Sequence, residues 1–459
     1  MTGRLAALSR CFQGIIPGTL ATCAPDGTPN VTYLSQIRQV DERHVAISRQ
    51  FFNKTSRNLE ANPRATAAVV DPVTFEAWKL GLRYVRSEVD TPLFVEMALR
   101  IEAIASHTGM KGIFRLLSAD VCEVERIERV DGFLVPLPGG ASCETPVTPG
   151  PMTEIRALSI VSCRINRAPD LESLLSDVLS ALDEVFGFRH SMVLLLDENG
   201  RTLTTIASHG YGESGVGAEA AVAQGLIGTV AATGAPLRLS GMESLLRYSR
   251  AVRGSVEAAG GGAGLRREIP LPGLPDAESQ LALPLLVEDR LLGVLAVESR
   301  DPLAFAEWHE EFLLVLANQI AIGIDRLSES PEEESAGPGE REEPAPAPAA
   351  PAHAFTWFRS DECVFVDGEY LIRNVPGKIL WKLLRAFRDE GRREFSNREL
   401  RLDASLGLPA VKDNLETRLI LLRKRLEAKC PGVRIVPVRR GRFALEVEGA
   451  VTLEERDGA

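Results

Sequence analysis

The sequence predicts a multidomain α+β protein with a strand-rich front, a mixed central part and a helical, basic tail. Three observations carry this expectation. At 459 residues the chain exceeds the roughly 250 to 300 residues at which a single core stops growing. Two segments, DGFLVPLPGGASCETPVTPGPMT over 131–153 and SESPEEESAGPGEREEPAPAPAAPAH over 328–353, interrupt the hydrophobic periodicity with Pro, Gly and Glu, and so read as linkers, the second of them disordered. The stretches between them, 1–130, 154–327 and 354–448, differ in pattern and read as three domains.

The front reads as strands of a meander or barrel: TLATCA, a turn at Pro25-Asp26-Gly27-Thr28, NVTYLSQIRQV, HVAIS and ATAAVVD. Helical patterns cover KTSRNLEANP and about 91–118. The centre alternates differently, with a helix at about 170–187, strands SMVLLLD and TLTTIAS, a short helix near 225–233, paired strands LALPLLV and LLGVLAVES, and a helix at about 304–327. Gly225, Gly228 and Gly234 permit tight entry to and exit from the short helix, and Gly293 allows strands to approach closely. In the last central helix Leu313, Leu316, Ile320, Ile324 and Leu327 form one apolar stripe, read here as the surface of a homodimer. The tail reads hairpin, helix (KILWKLLRAF), short helix (SNRELRL), long helix at about 409–428, and hairpin (VRIVPVRRGRFALEV).

Composition excludes several classes. No apolar run approaches the roughly 20 residues that span a bilayer, and the N-terminus lacks an apolar core of signal-peptide type, so a cytoplasmic protein is expected. Seven scattered cysteines form no CxxC pair and read as reduced packing residues. The net charge of −11 is uneven: residues 354–445 carry 20 Lys and Arg against 12 Asp and Glu. An acidic front with a basic tail suggests a polyanion partner for the tail.

Arg38 leaves the second strand, Ser48 and Arg49 end the third, and Asn53, Lys54 and Thr55 open the helix that follows, which gathers cations, hydroxyls and a helix N-terminus as a phosphate-bearing cofactor requires. The surrounding VTYLSQIRQVDERHVAISRQFFNKTSRNLEANPRA resembles the FMN-binding split barrel of the pyridoxamine 5′-phosphate oxidase family. That resemblance implies FMN held by these residues. Lys54, Thr55 and Ser48 depart from the family's Arg, Lys and Tyr, and the family's closing substrate-binding segment is missing, so oxidase activity is not expected. Haem is the competing cofactor, with His44 or His107 as ligand.

In the centre, GLIGTVAATGAPLRL, SQLALPLLVEDRLLGVLAVES and AFAEWHEEFLLVLANQIAIGIDR resemble GAF domains across about 158–327, which implies a sensor for a small-molecule ligand of open identity. The glycine run at 260–264 has no following Lys-Ser/Thr and is not a P-loop.

In the tail's long helix Val411, Leu415, Leu419, Leu422 and Leu426 form a buried stripe, while Lys412, Thr417, Arg418, Arg423 and Lys424 lie off it, and Arg439, Arg440 and Arg442 surround Gly441 in the closing hairpin. The order of elements over about 363–447 resembles the winged-helix output domain of OmpR-type response regulators, and implies a recognition helix at 409–428, a wing at 434–445 and double-stranded DNA as partner. Asp413 and Leu421 depart from the family's basic positions. Together the parts point to a ligand- or flavin-responsive transcription regulator. The alternative is a flavin-dependent oxidoreductase with regulatory domains, in which a basic winged helix would have no role in turnover.

Overall fold

The computed structural model describes residues 5–50, 54–130, 151–197, 199–211, 215–271, 273–329, 353–406, 415–439 and 441–457. The chain forms two compact units, one of residues 1–162, 181–203 and 219–318, the other of 163–180, 204–218 and 319–459.

The first unit begins with the barrel: β1 (Gly18–Cys23), β2 (Pro29–Leu34), β3 (Ile37–Gln39), β4 (His44–Arg49), α1 (Lys54–Ala61), β5 (Arg64–Val70), β6 (Ala77–Glu88), α2 (Pro92–His107) and β7 (Ser118–Arg129). Its seven strands run in the order β2-β1-β5-β6-β7-β4-β3. In β1 and β5 burial alternates residue by residue, because successive side chains point to opposite faces. Leu20, Ala67, Val69, Leu80 and Leu82 thereby meet in one core. The pairing of β6 with β7 sets Arg83 opposite Glu123, and the two side chains form an ion pair.

The helix expected at about 91–118 ends at His107, and Ser118 already begins β7. Thr91 caps its start by accepting from Phe94 N at 3.2 Å, with Pro92 at the first helical position. Pro151, Met152 and Thr153, read from sequence as linker, are the first turn of α3 (Pro151–Arg167). Proline suits that position, since the first-turn N–H groups have no helical partner.

Next come α4 (Leu171–Phe186), β8 (His190–Leu196), β9 (Thr202–His209), β10 (Glu219–Ala221), α5 (Gly225–Thr233), β11 (Leu237–Ser240), α6 (Met242–Ala258), β12 (Ser279–Val287), β13 (Arg290–Ser299) and α7 (Glu307–Glu329). Six strands form a sheet in the order β10-β9-β8-β13-β12-β11. At Gly293 an added Cβ would stand 2.0 Å from the Leu194 carbonyl oxygen, so the β13–β8 pairing requires glycine there. The α7 stripe of Leu313, Leu316, Ile320, Ile324 and Leu327 is at most 8% exposed. It is spent on the protein's own interior, which corrects its reading as a dimer surface; the exposed apolar residues of α7 are Val315 and Ile322.

The second unit contains the tail: β14 (His353–Phe358), β15 (Cys363–Val366), β16 (Glu369–Arg373), α8 (Asn374–Glu390), β17 (Glu394–Ser396), α9 (Asn397–Arg401), α10 (Leu415–Lys429), β18 (Val433–Arg439), β19 (Arg442–Val447) and β20 (Val451–Arg456). Two sheets, β16-β15-β14-β20 and β17-β19-β18, enclose the helices. Strand β20 pairs in parallel with β14, so this part extends past the expected end at 448. Phe355, Leu380, Leu384, Leu419, Leu422, Leu426 and Leu445 belong to a core drawn wholly from this part of the chain. A region with its own core is equipped to fold alone.

Among the described residues no helix is long and apolar enough to cross a membrane, and no cluster of His, Cys, Asp and Glu could hold a metal ion.

Candidate functional site

The first unit holds two features of chemical interest that meet along α2 and α6. One is a polar cavity in the barrel. The other is an interlock in which the end of α2 caps α5.

Helix α5 opens without a cap of its own, for Gln224 makes no side-chain bond to the first turn. The unsatisfied N–H groups are met from α2: Gly225 N donates to Ser106 Oγ at 2.8 Å and Leu226 N donates to His107 Nε2 at 3.2 Å. Because Nε2 accepts, the proton resides on Nδ1, which donates to the Ile269 carbonyl at 3.2 Å. His107 is 4% exposed, and burial lowers its pKa from the ordinary value, so the ring is held neutral. Gly225 has φ +64°, and a Cβ there would stand 2.9 Å from the imidazole, so both conformation and space demand glycine.

Further bonds extend the seam. Thr108 Oγ1 and Ser249 Oγ lie 2.7 Å apart, Arg253 Nη1 donates to the Thr108 and Arg266 carbonyls, and Lys111 Nζ donates to the Ala223 carbonyl at 2.5 Å. Met97, Ile101, Met110 and Phe114 pack with Tyr248, Val252 and Leu265.

The barrel cavity has a volume of about 70 Å³ and is lined by Ser35, Ser48, Arg49, Gln50, Thr55, Ser56, Asp120 and Tyr248, together with Leu20, Thr32, Tyr33, Leu34, Ile47 and Leu59. Ser48 Oγ lies 2.9 Å from Ser35 Oγ, and Gln50 Nε2 donates to Ser35 Oγ at 2.6 Å. Thr55 Oγ1 accepts from Asn30 Nδ2 at 2.9 Å. Of the residues singled out in the sequence, Ser48, Arg49 and Thr55 therefore share one cavity. Arg38 is not among its lining residues; it pairs with Glu96 of α2. Lys54 is exposed at the start of α1, and Asn53 lies outside the described residues. Sequence reasoning missed Ser35, Gln50, Ser56 and above all Tyr248, which comes from α6 some two hundred residues away.

The donor set fits a phosphate group: hydroxyls, an amide and one guanidinium. For haem, His107 has both ring nitrogens committed, which leaves His44, whose Nδ1 lies 2.9 Å from Asp41 Oδ2.

In the tail, Thr417, Arg418, Arg423 and Lys424 stand on α10 and are half-buried. Burial lowers the Arg418 guanidinium to about 10. Arg442 is exposed at the head of β19, and Arg439 ends β18. Lys412 and Arg440 lie outside the described residues.

Comparison with known proteins agrees with two of the three parts. Residues 170–324 match the GAF domain model, and residues 6–106 match the model described as pyridoxamine 5′-phosphate oxidase. No curated protein matches the chain. Similar solved structures include the GAF domain of an Acinetobacter phosphoenolpyruvate-protein phosphotransferase, 20% identical over 38% of this chain and 93% of that one, TM-score 0.30. Another is a free methionine-R-sulfoxide reductase from Neisseria meningitidis, 18% identical over 38% and 89%, TM-score 0.30. A third is an FMN-binding protein from Syntrophomonas wolfei, 18% identical over 29% and 90%, TM-score 0.24. The chain thus joins a barrel of flavin-binding type to a GAF sensor domain, the composition of a sensory or regulatory protein.

The neutral, buried His107 makes stability depend on pH. Its folded pKa lies below the unfolded value of about 6.5, so the unfolded chain binds the proton more readily, and stability is complete above about pH 6.5 and lost as pH falls toward the folded pKa. His309, lowered to about 4 by burial and then by Arg238, acts in the same direction. The thermal midpoint is expected to fall between pH 7 and pH 5, with a shallower fall in His107→Gln; an unchanged slope in that variant would contradict the assignment.

Proposed function

We propose that the protein is a transcription regulator in which the barrel and the GAF domain sense small molecules and the tail binds double-stranded DNA as a winged helix. The observation that carries this reading is the order of elements in the tail. Helix α8 is followed by α9 and α10, and the hairpin β18–β19 is braced by β17. This order supports reading α10 as a recognition helix and β18–β19 as a wing, in a stretch carrying 20 basic against 12 acidic residues. A redox enzyme has no use for such a tail.

In this reading the barrel cavity holds the phosphate of FMN through Ser48, Arg49 and Thr55, with Ser35, Gln50 and Ser56 as added donors, and bound flavin would supply a redox-sensitive group. Haem held by His44 is the second cofactor reading. The protein is a homodimer, with exposed Val315 and Ile322 of α7 as the contact in place of the buried stripe. It acts in the cytoplasm.

Titration of the protein with FMN should show binding that Arg49→Ala weakens about tenfold or more, the scale of a charge-assisted phosphate contact. Protein that takes up no FMN would overturn the flavin reading, and a Soret band in the purified protein would transfer it to haem.

Sedimentation at micromolar concentration should give a dimer for the wild-type chain and a monomer for a variant carrying Val315→Asp and Ile322→Asp. A monomeric wild type would remove the dimer.

Residues 353–459, which have their own core, should bind duplex DNA with a log-log salt slope of about −0.9 per neutralised phosphate. Arg442→Ala should lower affinity for all sequences and flatten that slope by roughly one. Folded fragment that binds no duplex at low salt would end the regulator reading.

A further inference from the structure

The second unit contains, besides the tail, residues 163–180 and 204–218 of the central part. Three consecutive cations of α10 face those segments. Arg423 Nη1 lies 2.8 Å from Glu172 Oε2, and Lys424 Nζ lies 3.7 Å from Glu172 Oε1, so one carboxylate in the first turn of α4 serves both. Arg425 Nη2 donates to the Gly217 carbonyl at 3.3 Å. Gly217 has φ +83°, a backbone conformation that favours glycine, and its carbonyl is thereby presented to Arg425.

We propose that these contacts are an autoinhibitory latch, in which Glu172 and Gly217 occupy the cations of α10 that would otherwise meet DNA phosphates. The proposal rests on the DNA-binding reading of the tail. A guanidinium that points at a carboxylate 2.8 Å away must leave it to reach a phosphate, and the charge of Glu172 itself repels the DNA backbone. Glu172 and Lys424 keep 32% and 42% of their side-chain surface exposed, and pairs so open to solvent are individually weak. Weakness suits a latch. A ligand that displaces residues 204–218 by favouring another arrangement needs only a small differential affinity to release α10.

The test compares the full-length wild type with Glu172→Gln and Glu172→Lys in two measurements. The first is binding to a random duplex at low salt. Glu172→Gln should bind about threefold to tenfold more tightly than wild type, and Glu172→Lys more tightly still. The second is amide hydrogen exchange across 415–429, which should speed up in both variants as the contact opens. Equal DNA affinity of the three proteins overturns the latch while leaving the DNA reading intact. Unchanged exchange in α10 overturns it as well, since the contact would then not hold the helix. If none of the three proteins binds DNA, and the isolated tail does not either, the DNA reading falls and the latch falls with it; if the isolated tail binds and Glu172→Lys does not, the latch alone is refuted.

Discussion

The capping of α5 by Ser106 and His107 is the constraint on which the rest of the first unit depends. A helix of nine residues is too short to be stable in water on its own propensity, and α5 has no cap of its own. Its first two N–H groups find their acceptors at the end of α2, and the approach that makes this possible needs glycine at 225. On the other side of the seam, Gly109 has φ +69°, and a Cβ there would stand 2.1 Å from the Arg266 carbonyl oxygen. Loss of either glycine would separate surfaces that the polar bonds and the apolar packing of Met97, Ile101 and Tyr248 hold together.

One consequence is that the barrel and the helices α5 and α6 share walls. Tyr248 lines the barrel cavity while packing against Phe114, with ring centroids 6.0 Å apart. A group that enters the cavity therefore touches α6 directly, and a movement of α6 changes the cavity. Such shared lining offers a physical route between the barrel and the helices of the central part that needs no long chain of intermediates, and that route requires α6 to have a second arrangement.

Much of the architecture was legible. The short helix at 225–233 and the turns at its ends followed from three glycines, of which Gly234 ends the helix at φ +67°. The paired strands β12 and β13 followed from continuous apolar runs around a two-residue turn. Strand β6 keeps the alternation Lys79-Leu80-Gly81-Leu82-Arg83 but loses it at Arg86, where its register with β7 shifts, and the pairing of Arg83 with Glu123 of β7 becomes visible only when the sheet is assembled. Helix α6 was hidden by its polar sequence, RYSRAVRGSVEA, which packs on one face only. In the site, Ser48, Arg49 and Thr55 were within reach because they lie close in sequence. The contributions of Ser106, His107 and Tyr248 were not, since each acts on residues more than a hundred positions away and nothing local marks them. The stripe on α7 was legible as buried but not as buried within the same chain, because periodicity does not say which surface covers a face.

If the interlock joins the barrel and the GAF sheet into one cooperative body, a defect in either should be felt in both. Native-state hydrogen exchange on Leu82→Ala, which empties a barrel position 1% exposed, measures this directly. The slowest amides of β12 and β13 should lose protection by the same free energy as those of β5 and β6. Protection retained in β12 and β13 while the barrel strands open would contradict the account.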